Sequence, residues 1–368
     1  MEIKTEIIKE LSRERNEPEW LLLKRLKYLE MYNSKEFEKY FRYGLSIILN
    51  SGNFSFNEGL INKGNIIIKS DKAIIKKIDD SVKDLIFTSN VNKDRFNLMH
   101  KAFCFNCNLI IIPKNTKTEI EIKGNSNFLH TVIIAEENSE ALIKENFKVE
   151  NLMSYGVEIL AKENSKIEYI SGTSVDGYYF GEYKADLGKN AEIKWLNALK
   201  NGKFSRVIIE TNLDGEDAKV KTATIGILNE KSQADIYTIS RHNAEHSISN
   251  TLSKGVVRDN SKLLVRGLTR VEKNAFNSDG YEKADVLILD NAEADAIPNL
   301  EIENNEVRCT HGASIGKIDD EKLFYLQSRG LNDEEAKELI ISGFFEPLFK
   351  FFNSGEERIN VIRGVVEC

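Results

Sequence analysis

The chain of 368 residues is poor in proline and cysteine, with 4 of each. So few prolines exclude a collagen-like or proline-rich linker protein despite the 22 glycines, and four thiols over this length make no disulfide framework. Long apolar runs are missing too. Leu109–Ile112 stops at Pro113, far short of the ~18 residues that a membrane-spanning helix needs. The opening MEIKTEIIKELSRERNEPEW breaks its aliphatics with charges and lacks the apolar core of an export signal, so a cytoplasmic protein with reduced thiols and no membrane partner is expected. Basic blocks are absent, and 51 Lys and Arg against 58 Asp and Glu leave a net charge of −7, which argues against a nucleic-acid partner. No phosphate-binding loop, dinucleotide fingerprint or G-x-S-x-G occurs, so the chain is not expected to hold a nucleotide itself.

What is present suits a folded protein: 41% hydrophobic and 30% charged residues supply enough apolar surface to offset chain entropy. The length exceeds a usual single core, so either several domains or one elongated repeat is expected. Up to about Asn50 the pattern reads as helical, with Leu22, Leu26 and Leu29 on one face and Pro18 where a first turn tolerates it. Between about 51 and 84 short apolar runs, Ile66–Ile68 and Ile74–Ile75, suit short strands.

From about Leu85 to Ile315 one phrase recurs: a polar pair with Asn or Asp, a small residue, a polar one, and an apolar one opening a strand. It stands at Glu137-Asn138-Ser139, Glu163-Asn164-Ser165, Lys189-Asn190-Ala191, Glu216-Asp217-Ala218, Asp259-Asn260-Ser261 and Asp290-Asn291-Ala292. Counted from Asn138 the steps are 26, 26, 27, 43 and 31 residues. A period in the twenties with alternating strands such as Lys166–Ile170 signals a stacked β-coil whose turns bury their apolar faces only against each other. Asn and Asp suit its corners because they tolerate left-handed backbone. The alternative is an antiparallel sandwich, whose turn signals recur every ~8–12 residues.

After Gly316 the helical period returns. Asp319 and Asp320 start a helix ending at Arg329-Gly330; Asn332 with Glu335 forms a capping box for a second, running to about Phe345 and stopped near Pro347. Ala336, Leu339, Ile340, Gly343 and Phe344 fit one stripe, either packed on the coil or offered for docking.

Three groups could carry chemistry. Cys104 and Cys107 form a CxxC with His100 as the only nearby addition, too few for a closed zinc site; two small residues at a strand and turn is the plainer account. His242 and His246, four apart with Glu245 before the second, share a face in helix or strand, but a metalloprotease motif places its Glu directly after the first His, and solvated strand residues account for the pair as well. Cys309 and His311 are two apart, so in a strand thiolate and imidazole project together. They are a partial ligand set for iron or an iron–sulfur cluster, with a partner supplying the rest, or else a buried cysteine and a structural histidine.

The stretches Asp295–Ile302 and Val307–Ile318, followed by Phe324–Leu331, Glu334–Ala336 and Ile341–Phe344, resemble the SufB/SufD family of iron–sulfur cluster assembly scaffolds, as does Asn16–Leu21 near the start. Cys309-Thr310-His311-Gly312-Ala313 is similar to SufD, where SufB carries Glu-His-Glu-Ala. The place of SufB's core cysteine reads Ala284-Asp285-Val286-Leu287-Ile288, and no cysteine lies between Cys107 and Cys309. The resemblance implies a mainly β fold, a right-handed parallel β-helix over 85–316 flanked by an N-terminal helical and mixed region, 1–84, and a C-terminal helical region, 317–368. It implies a non-catalytic scaffold that pairs with a SufB-type chain or itself through the C-terminal coil end. A SufC-type ATPase would dock on the last helices, where Phe324, Leu339, Gly343 and Phe344 are the candidates. His311, with Cys309, would face a transient cluster shared with the partner. The competing expectations are a homodimeric SufB-like sole scaffold and a carbohydrate-active β-helix enzyme.

Overall fold

The computed structural model describes residues 5–35, 39–42, 45–48, 64, 66–89 and 94–351. Its centre is a parallel β-coil of about eight turns running from Cys107 to Lys317. Successive strands alternate between two nine-stranded sheets, so each strand pairs with the one two places on. From Glu140 onward every strand is ten residues long, and register is kept without slippage: Lys166 pairs Glu192, Ile167 pairs Ile193, Tyr169 pairs Trp195. Like residues therefore stack in columns, and Ile143, Tyr169, Trp195 and Thr222 form one that faces the interior. Because side chains alternate along a strand, every second residue enters this interior and gains roughly 1.5–3 kcal/mol per large apolar group buried. Several polar residues enter it in pairs: Glu145 accepts hydrogen bonds from Tyr169 at 2.6 Å and Tyr183 at 2.7 Å, and Tyr155 meets Tyr169 across the sheets at 3.1 Å.

The corners explain the recurring phrase and correct its count. Asn138, Asn164, Asn190 and Asp217 all have φ between 54° and 60°, the left-handed region that Asn and Asp enter cheaply. These four open consecutive strands of one sheet, whereas the phrases at 259 and 290 open strands of the other, so the 43-residue step is a change of sheet and no longer coil. In those two phrases the left-handed residue is Asp259 or Asp290, one place before the asparagine counted from sequence. Among the corners that the count missed are Glu230, at φ 55°, Glu245-His246-Ser247, with His246 at φ 58°, and Asn277, at φ 56°.

The ends of the coil differ. At its start, antiparallel strands Ile66–Ser70 and Ile74–Lys77 cover the first strand of each sheet, as the short apolar runs suggested. At its far end Glu293–Ile302 and Arg308–Lys317 are each paired on one side only among the described residues.

Helices flank the coil. At the N-terminal side lie α1 (Thr5–Glu14), α2 (Glu19–Ser34) and α3 (Arg95–Phe103). The helical reading fails after Ser34, where Lys39–Arg42 and Leu45–Ile48 form an antiparallel pair; the readings at 36–38, 43–44, 49–63 and 65 fall outside the described residues. The helix α3 interrupts the stretch read as strands. Asp94 caps it by accepting from Asn97 N at 2.8 Å, and all its residues after Arg95 are buried, Phe96 stacking on Phe180 of the coil at 4.2 Å. A helix buried all round shows no amphipathic period, which is why its sequence does not announce it.

At the C-terminal side lie α4 (Asp320–Ser328) and α5 (Asp333–Phe351). Asp319 caps α4, and Asn332 and Glu335 exchange the reciprocal bonds of a capping box, at 2.8 and 3.0 Å. Two expectations change. The helix α5 runs through Pro347, and its buried residues are Ala336, Ile341, Phe345 and Leu348, the last three clustering with Leu196, Ile225 and Val256 on the outer face of the coil. Residues 352–368 of the proposed last region fall outside the described residues. No described helix is long and apolar enough to cross a membrane.

Candidate functional site

The open end of the coil gathers the cysteine and histidine singled out above. Parallel register places Cys309 beside Gly280 and His311 beside Glu282 on the last strand of its sheet. The strand is mostly exposed, since its outer edge has no strand beside it among the described residues; Cys309 is half-buried and His311 exposed. Gly280 makes room behind the thiol. A Cβ there would lie 3.2 Å from Cys309 Sγ, 2.8 Å from Thr269 and 3.5 Å from Ser249 Oγ. Burial pushes the Cys309 thiol up, which favours its protonated form at neutral pH.

Two titratable groups lie behind this pair, of which the sequence pointed to His242 and not to Glu282. Glu282 is 4% exposed, lies over Gly267, and makes no hydrogen bond or ion pair among the described residues. Burial alone pushes its carboxyl up to about 8. A Cβ on Gly267 would fall 1.1 Å from Glu282 Oε1, so the carboxyl fits only because residue 267 has no side chain. The second is His242, buried between the hydroxyls of Ser247 and Ser249, both at 2.7 Å, and brought down to about 4 by burial, which the Ser247 contact opposes. It faces inward while His246 sits exposed at a corner, so the two histidines do not share a face and the metal reading of this pair is withdrawn.

At the other end, Cys104 closes α3 and Cys107 opens the first coil strand. His100, the possible third ligand, is engaged elsewhere: Nδ1 meets Ser154 Oγ at 2.9 Å and Nε2 meets His130 Nδ1 at 3.0 Å. His130 Nε2 in turn lies 2.9 Å from Glu158, which also accepts from the backbone N–H groups of Phe87, Thr88 and Ser89. Against the opposing effect of burial, His130 and these donors hold Glu158 at about 2. Among the described residues no three His, Cys, Asp or Glu side chains converge to hold a metal ion.

The docking candidates separate into two groups. Phe324 and Leu339 are 73% and 53% exposed, and Gly343 has open space around it. Phe344 is half-buried with the Lys254 ammonium 4.1 Å from its ring centre, so it belongs to the packing of α5 on the coil.

Comparison with known proteins assigns this architecture. Residues 117–344 match the family described as "SUF system FeS cluster assembly, SufBD core domain". The chain is also similar to iron–sulfur cluster assembly SufBD family proteins of three staphylococci. It is 28% identical over 308 residues to one from Staphylococcus saprophyticus, 27% over 308 to one from Staphylococcus haemolyticus, and 27% over 307 to one from Staphylococcus aureus. Each alignment covers 79% of this chain and 66% of the relative, so the chain spans just under two thirds of their length. A parallel coil carrying the family's core over 117–344, more than half of the sequence, establishes that the chain belongs to the SufBD family of iron–sulfur cluster assembly proteins.

Proposed function

We propose that the chain is a SufD-like scaffold subunit that offers Cys309 and His311 to a nascent iron–sulfur cluster built between its open coil end and a second scaffold subunit. The observation that carries this reading is the placement of a thiol and an imidazole on one strand whose free backbone edge can pair with another chain. Two ligands from each side would complete a four-ligand set, with iron and sulfide as cargo. The partner is a SufB-type chain or a second copy; residues 1–84, 85–316 and 317–368 act as flank, scaffold and docking region. The subunit binds no nucleotide itself and performs no catalysis; a SufC-type ATPase on α4 and α5 supplies the work, shifting the coil-end interface when its two copies close.

Complexes purified anaerobically from the native cell are expected to carry iron and sulfide, and His311→Ala to lose most of both. Unchanged iron and sulfide per complex would remove the ligand role.

Leu339→Asp tests docking separately, because the residue is exposed and its loss leaves the packing of α5 intact. Losing one buried leucine at an interface costs roughly 1.5–3 kcal/mol, so capture of the ATPase should weaken about 10- to 100-fold. Binding within two-fold of the parent would place the ATPase elsewhere.

A further inference from the structure

The CxxC at the start of the coil is not part of the cluster reading, yet it sits in a built environment. Cys107 is half-buried and Cys104 fully buried. The Cys107 sulfur receives Arg25 Nη2 at 3.6 Å, and Arg25 is itself 0% exposed and fixed by two bonds to Glu17, at 2.7 and 2.9 Å. A cavity of about 130 Å³ opens beside Cys107, with Arg15 and Lys77 also on its wall. Cys104 follows the last turn of α3, where the helix dipole disfavours a thiolate.

We propose that Cys107 and Cys104 are a redox-active dithiol that exchanges with small anionic disulfides, Cys107 as the attacking and Cys104 as the resolving sulfur.

In the first step the Cys107 thiolate attacks one sulfur of R–S–S–R; the external S–S bond breaks, a Cys107–S–S–R bond forms, and RS⁻ leaves. In the second, Cys104 gives up its proton and attacks the Cys107 sulfur, forming the Cys104–Cys107 bond and releasing the second RS⁻. Two protein thiols are oxidised, one disulfide is reduced, and the two thiol protons end on two RSH. The division of roles follows from position. The Cys104 thiol beside it and then the Arg25 guanidinium bring Cys107 down to about 7 against the effect of burial, while burial holds Cys104 well above its ordinary range. The carbonyl of Cys104, 3.1 Å from the Cys107 sulfur, accepts a hydrogen bond from the thiol form. Arg15 and Lys77 on the cavity wall outnumber its one carboxylate, Glu17, which is paired with Arg25, and so favour a disulfide that carries carboxylates.

The probe is oxidised glutathione, added to the reduced full chain at pH 7, with acid quenching and peptide mass analysis. A Cys107 thiol brought down by its surroundings holds more thiolate at pH 7 than a Cys309 thiol pushed up by burial, and lower intrinsic nucleophilicity offsets only part of that advantage. Cys107 is therefore expected to react at least about five-fold faster than Cys309 in the same molecule and to end as the Cys104–Cys107 disulfide. Cys104→Ser should stop at a glutathione adduct on Cys107, and cationic cystamine should react more slowly than glutathione disulfide. Reaction of Cys107 no faster than Cys309 in the parent chain, or an unmodified Cys107 in Cys104→Ser, overturns the dithiol. Cystamine outpacing glutathione disulfide overturns the anionic substrate class.

Discussion

Arg206→Ala is expected to lower the unfolding free energy by about 3–5 kcal/mol, read from the shift of a urea transition at constant slope. Arg206 lies on the coil strand Phe204–Leu213 and is 1% exposed. Its guanidinium binds the carboxylate of Asp94 and lies 3.7 Å from Glu182, which also accepts from Asn97 at 2.6 Å. The rings of Phe96 and Phe180 flank it, 5.9 and 5.6 Å from the guanidinium carbon. Taking away the cation strands two carboxylates out of water, and one must take up a proton or draw water into the α3 junction. Glu182 is already pushed up by burial, an effect that Arg206 opposes, so it is the group that would neutralise. Asp94 also caps α3, hence the damage extends to the helix that ends at Cys104. The double variant Arg206→Met with Asp94→Asn should cost less than the single one, because it removes charge from both sides of the pair. A loss under 1 kcal/mol for Arg206→Ala would mean that water already reaches the site.

Much of this architecture was legible because a coil forces sequence periodicity. Asn138, Asn164 and Asn190 mark the period since each corner needs left-handed backbone and Asn supplies it at low strain. The count broke where Glu230 and His246 occupy corners at φ 55° and 58°, conformations that their side chains do not advertise. Cys309 and His311 were readable as a pair because strand geometry puts neighbours two apart on one side. Glu282 was not. Its place behind His311 follows from a coil length of 29 residues at that turn, whereas the 26-residue period of the early turns points from His311 to Asp285. Helix α3 was missed for a different reason: its surroundings, and no polar face of its own, decide its conformation.

The open coil end is expected to set the pH dependence of stability through two groups of opposite sign. His242 has its folded-state value lowered from 6.5 to about 4, so the unfolded chain binds the proton that the folded one refuses; about 3 kcal/mol of stability is lost as pH falls from 6.5 to 4. His100, driven well below its ordinary range first by burial and then by His130, acts in the same direction. Glu282 works the other way. Its carboxyl is raised from 4.5 to about 8, so the unfolded chain ionises first and about 5 kcal/mol is lost as pH climbs from 4.5 to 8. Between pH 4.5 and 6.5 the Glu282 and His242 slopes largely cancel; above 6.5 the Glu282 slope continues without His242 and contributes a loss of about 2 kcal/mol by pH 8, which the lowered Cys107 thiol opposes above about pH 7 in parent and variant alike. Glu282→Gln should remove the Glu282 contribution and leave a variant several kcal/mol more stable than its parent at pH 8, while matching it more closely near pH 5. Urea transitions of the metal-free chain at half-unit pH steps measure this, and parallel declines of parent and variant above pH 6.5 would refute it. The comparison also weighs the site itself. A carboxyl kept out of water without a partner is a standing cost to folding, and in this chain it is borne one strand behind His311, at the coil end where the proposed cluster would be built.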